Sequence, residues 1–131
     1  MFDRKTLAAA LGGFTVAAAG AFVLHAANAP VAKGYVIGEI DVQDAEGYKS
    51  YAAQTPPILA KYHGVYLVRG GATTPLEGAP PRSRVVVVEF PSVAEAKAFE
   101  DSAEYRAAAA IRHKAATSRL FIAEGLAGAA R

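Results

Sequence analysis

Three features of the sequence predict an α+β fold built on one antiparallel sheet. Four stretches rich in β-branched residues alternate with two helical stretches in the order β-α-β-β-α-β. The two middle strands are joined by a Pro- and Gly-rich loop instead of a helix. The chain has 131 residues and no cysteine, so one domain must be held by packing, without disulfides, thiolate metal sites or a Cys nucleophile.

The first 32 residues are read as an address and residues 33–131 as the domain. Arg4 and Lys5 precede an apolar run from Leu7 to Ala27, and Ala27-Asn28-Ala29 supplies an Ala-x-Ala site. That pattern is a secretory signal peptide. The run is long for a signal, and Pro30 follows the expected cut, so an uncleaved N-terminal membrane anchor is the alternative. Both place the body of the protein outside the cytoplasm, periplasmic or otherwise exported.

Gly34 to Val42 is the first strand. Asp44 is positioned to cap a helix carrying Tyr48, Tyr51, Ile58, Leu59 and Tyr62, and Pro56-Pro57 predict a break that divides it into two pieces. Val65 to Val68 is the second strand, followed by Gly70-Gly71 and the loop ATTPLEGAPPRS. Arg84 to Phe90, with four consecutive valines, is the third strand. Ser92 and Glu95 form a capping box that starts the second helix, with a pause predicted at Asp101-Ser102. Ser118 to Leu126 is the last strand.

This order is the ferredoxin-like βαββαβ arrangement, a split βαβ with a four-stranded antiparallel sheet. Residue alternation assigns Val36, Ile40, Tyr66, Val68, Val86, Val88, Phe90, Phe121 and Ala123 to the helix-packed face. The opposite face receives Tyr35, Ile37, Glu39, Val65, Leu67, Arg69, Val85, Val87, Glu89, Leu120, Ile122 and Glu124. It is too apolar for open water, which predicts a homodimer closing two sheets into a dimeric α+β barrel.

Several pieces resemble the bacterial domain of unknown function 1330 family: Arg69-Gly70-Gly71, Leu76-Glu77-Gly78, Glu89-Phe90-Pro91-Ser92 and Ser102-x-Glu104-Tyr105. The resemblance runs from about Lys33 to Leu126. It implies the dimeric α+β barrel superfamily, whose members include small monooxygenases, haem-degrading enzymes, isomerases and stress proteins. It carries no reaction of its own. The chain departs from commoner members in having Glu100 where an aromatic is more usual, and in its exported leader.

The candidate chemistry is sparse. From Pro30 onward 12 Lys and Arg stand against 11 Asp and Glu, which gives no basic footprint for nucleic acid. His25 lies in the leader, and His113 near a helix C-terminus complements the helix dipole. His63 precedes the second strand where Glu89 ends the third, and parallel pairing of the first and third strands would add Glu39 to an acid–base group. The alternative is a helix-end residue beside solvated carboxylates. Arg69 or Arg84, with Tyr66 beside them, either binds an anionic ligand or pairs with Glu77, and a pairing of the Arg69-Glu77 type would pin the loop. The tyrosines read first as core residues with hydroxyls reaching water. No metal site and no cofactor motif is present.

These observations favour an exported small dimeric domain that binds an apolar or weakly anionic small molecule. The alternatives are a cofactor-free monooxygenase- or isomerase-like enzyme, and a structural or stress-response dimer with a filled interior. The sequence does not establish an enzyme.

Overall fold

The structure, a computed structural model, describes residues 30–128 together with Gly13. The leader expected at residues 1–32 therefore falls almost wholly outside the described residues. Among those described, no helix is long and apolar enough to cross a membrane.

The elements are β1 (Gly34–Val42), α1 (Ala45–Lys61), β2 (Val65–Arg69), β3 (Arg84–Phe90), α2 (Val93–Asp101), α3 (Ala103–Ala115) and β4 (Ala116–Glu124). The strands form one antiparallel sheet in the order β2-β3-β1-β4, the ferredoxin-like arrangement. All three helices pack on one face. Phe90, Phe99, Tyr105, Leu59, Val36 and Ile40 are buried there. The Phe99 ring lies 4.2 Å from Tyr105 and 5.3 Å from Phe90 between centroids.

The caps fall where the sequence placed them. Asp44 accepts from the Gly47 amide, and Ser92 accepts from the Glu95 amide. The predicted pause is also found: α2 stops at Asp101, and the Ser102 hydroxyl accepts from the Tyr105 amide to start α3.

Three expectations are corrected. First, α1 is a single helix through Pro56 and Pro57. Proline at 56 has no N–H for the carbonyl of Ala52 four residues back. Arg69 Nη2 donates to that carbonyl at 3.1 Å, and the Thr55 hydroxyl donates to Tyr51 O at 2.9 Å. Pro57 leaves the carbonyl of Ala53, an exposed residue whose neighbourhood water can reach. The helix continues with one of its two lost bonds replaced from outside, by Arg69.

Second, the register of β2 against β3 shifts between Tyr66 and Val68. Tyr66 pairs with Val88, Val68 with Val87 and Arg69 with Val86, so Leu67 is the extra residue of a bulge. The bulge moves Arg69 onto the helix face, opposite to what simple alternation gave, and moves Val68 outward.

Third, β4 is turned over. Ile122 pairs with Val36 and Leu120 with Gly38, which places Leu120 and Ile122 on the helix face. Phe121, aligned with Ile37, faces outward and is 47% exposed. The strand begins at Ala116, directly on the end of α3.

Candidate functional site

The cleft between the sheet and α1 holds an uneven distribution of charge. Its floor is β1 and β3, and its lining includes Gly38, Ile40, Val86 and Val88 from the sheet and Tyr48, Tyr51 and Thr55 from α1. Phe99, Glu100 and Tyr105 close one end, while Tyr66, Arg69 and Arg84 close the other.

Arg84 comes to this end because it pairs with Ile40, whose side chain points at the helices. Its Nε donates to the Tyr48 hydroxyl at 3.1 Å, and its guanidinium lies 5.3 Å from that ring's centroid. Gly70 makes this possible. Its φ is +73°, and a Cβ there would stand 2.3 Å from Arg84 Nη1. The Arg-Gly-Gly turn is thus a seat for the second arginine. Arg69 lies 4.5 Å above the Tyr66 ring and is not paired with Glu77. The loop is pinned instead at its far end, where Asp41 accepts from Arg82 and from the Ser83 amide and hydroxyl. The Ser83 amide is the largest of several contacts that hold the Asp41 carboxyl below its usual range.

A third guanidinium, Arg112 of α3, is only 5% exposed and lies 5.6 Å from the Tyr51 ring centroid. Among the described residues, none of Arg69, Arg84 and Arg112 forms an ion pair with a carboxylate. The one carboxyl in the cleft is Glu100. Burial pushes it up to about 7, against the opposing pull of Arg112. Its Oε1 is buried without a hydrogen-bond partner. Beside it the Tyr51 and Tyr105 hydroxyls share a hydrogen bond of 3.0 Å. Burial raises the Tyr105 hydroxyl far above its ordinary value, so it stays neutral.

The free space of the cleft is about 40 Å³. One water needs roughly 10–15 Å³, so about three waters, or a head group of similar size, fit there. Gly38 leaves this space: a Cβ on it would reach only ordinary contact with Leu120, at 3.5 Å.

The candidates expected from sequence separate into two groups. Arg69, Arg84 and Tyr66 do converge, on the helix side of the sheet, where alternation had placed Tyr66 but not Arg69. Glu39 does not join His63 and Glu89, of which His63 stands two residues before Val65, the partner of Glu89 across the sheet. Strands β1 and β3 are antiparallel, so Glu89 lies opposite Tyr35, four residues and roughly 13 Å along β1 from Glu39. Glu39 pairs with Arg119 and Glu89 with Lys33. His63 is exposed and left-handed, with φ +59°, directly after the α1 C-cap, where its conformation ends the helix. Glu100, Tyr48, Tyr51 and Tyr105 were not singled out as a site. A signal existed for Glu100: it stands four residues after buried Ala96, so a carboxyl falls on the apolar stripe of α2. Among the described residues no cluster of His, Asp and Glu is arranged to hold a metal ion.

The strand order and the helices on one face define a ferredoxin-like α+β domain. Residues 33–126 match the domain of unknown function DUF1330, and the chain belongs to that family. The fold is shared with RPA0582, a protein of unknown function from Rhodopseudomonas palustris. That structure is 23% identical, covers 76% of this chain and 87% of its own, and superposes with a TM-score of 0.60. SnoaB, a cofactor-independent oxygenase from Streptomyces nogalater, has a TM-score of 0.51 at 14% identity, covering 71% of this chain and 92% of its own. No curated protein matches the chain.

Proposed function

We propose that this protein is an exported, homodimeric binding domain for a small anionic molecule held between the sheet and α1. The observation that carries the reading is the imbalance of charge at the cleft. Arg69 and Arg84 stand at one end without a carboxylate partner among the described residues, and aromatic rings support both. A carboxylate or similar anion satisfies two such guanidiniums in bidentate geometry. Its apolar remainder suits a lining of Tyr, Val and Ile.

Export rests on the basic head and apolar run at the N-terminus, and dimerisation on the apolar outer face of the sheet. A periplasmic reporter fused after Arg131 tests export; an inactive reporter rejects it. Ligand binding is tested by native mass spectrometry of the purified full chain. A reproducible added mass that disappears in Arg84→Gln supports the cleft. Bare protein, together with no thermal shift from a panel of small carboxylic acids, supports a structural dimer instead.

One observation favours a second reading, a cofactor-free enzyme: the carboxyl of Glu100 at the far end of the same cleft.

A further inference from the structure

We propose that Glu100 is the proton-transfer group of the cleft, acting on a small carboxylic acid that also carries an enolisable carbonyl. The proposal rests on the binding reading above, because the arginines must hold the acid group while Glu100 meets the carbon.

Glu100 lines the cleft on one side and, on the other, a hollow of about 280 Å³ over the edge strand β4, formed with Val36, Leu120, Phe121 and Ile122. It therefore stands between bound ligand and solvent, where a proton accepted on one side is exchangeable on the other. Its Oε1 is buried and makes no hydrogen bond, and an unpaired buried acceptor calls for a partner that the described residues do not supply. A carboxyl serving only to pack α2 gains nothing from this arrangement, since an apolar side chain would avoid the desolvation cost.

The groups around it suit the task. Arg112 and Tyr105 face it from α3, and Asp101 follows it in α2. The sheet side, Val36, Leu120 and Ile122, contributes no titratable group. This setting leaves both forms of the carboxyl populated near neutrality, where a base is most effective. The hydroxyl pair of Tyr51 and Tyr105 lies in the same lining and supplies a neutral donor. Gly38 on the floor leaves room for the reacting carbon.

In its ionised form Glu100 takes a proton from the carbon next to the carbonyl. The C–H electron pair becomes a C=C bond, and the carbonyl π pair moves to oxygen, where a tyrosine hydroxyl donates a hydrogen bond. Protonated Glu100 then returns the proton, to the same carbon or to the far end of a conjugated system. The net result is exchange or isomerisation, with atoms and electrons balanced and no oxidant consumed.

The test uses the full chain in D₂O with 2-oxobutyrate as probe, following loss of the C3 proton signal by NMR. Binding of the probe is read separately by saturation transfer. Exchange above the buffer rate is expected, rising with pH as Glu100 ionises through about 7. Glu100→Gln should bind the probe as before and exchange it about 100-fold more slowly, with partial recovery in Glu100→Asp. Arg84→Gln should lose binding and exchange together. Bound probe that does not exchange, or exchange unchanged in Glu100→Gln, overturns the role of Glu100 and leaves the binding reading standing. A wild-type protein that neither binds nor exchanges the probe overturns both for this class of acid.

Discussion

Glu100 has a consequence for stability that does not depend on any ligand. Its carboxyl titrates at about 7 in the folded chain against 4.5 in the reference state. Between those values the folded chain keeps a proton that the unfolded chain has released, so the stability this group contributes falls as pH rises through the window. The full shift corresponds to about 3 kcal/mol, and the solvent-facing edge of the side chain reduces it to about 1–2 kcal/mol. Relative to the parent, Glu100→Gln should therefore gain about 1–2 kcal/mol between about pH 5 and about pH 8, read from urea melts. A difference that stays flat with pH would show that the carboxyl titrates normally. Gly38 separates stability from binding in the opposite sense. A strand glycine costs roughly 0.5–1 kcal/mol against alanine, and this one has ordinary contact distance for a Cβ. Gly38→Ala should raise the melting temperature by a few degrees while reducing the space in the cleft. A lower melting temperature would mean that the floor is already full.

At the level of elements, α1 and β2 depend on each other through one hydrogen bond. Pro56 deprives Ala52 O of its helical donor, and Arg69 supplies the replacement because the bulge at Leu67 turns it toward the helix. Arg69→Ala should cost about 1 kcal/mol in an otherwise unchanged chain. With Pro56→Ala in the background the Ala60 amide still serves residue 56, the new residue 56 amide serves Ala52 O, and the cost of losing Arg69 should fall toward zero. A double-mutant cycle measures this coupling, and additive effects would dissociate the arginine from the proline. The same residue thus has a structural duty besides any contact with an anion, which is why Arg84→Gln is the cleaner probe of binding.

Among the described residues, one sheet face meets the helices and the other is left uncovered. Val65 at 56% exposed and Phe121 at 47% belong to that outer face, together with Ile37, Val85 and Val87. A face of this composition over four strands suits a second copy of the sheet. Light scattering should give a dimer at micromolar concentration, and Val87→Asp at the centre of the face should give a folded monomer with the cleft intact. A parent protein that is monomeric would reject the barrel assembly.

Local residue patterns determined the order of elements, the caps at Asp44, Ser92 and Ser102, and the resemblance to the family, because each depends on neighbours within a few positions. Those patterns also exposed the candidate arginines. They did not reveal on which face the arginines lie. For Arg69 that depended on a single inserted residue at Leu67, since a shift of one residue reverses every side chain after it. They did not show that α1 survives two prolines, since the replacement donor comes from a strand 17 residues away. Nor did they gather Glu100, Tyr51 and Tyr105 with Arg69 and Arg84. Only the tertiary structure did so, because the antiparallel sheet and the crossing of α1 over it decide which distant side chains share one cleft.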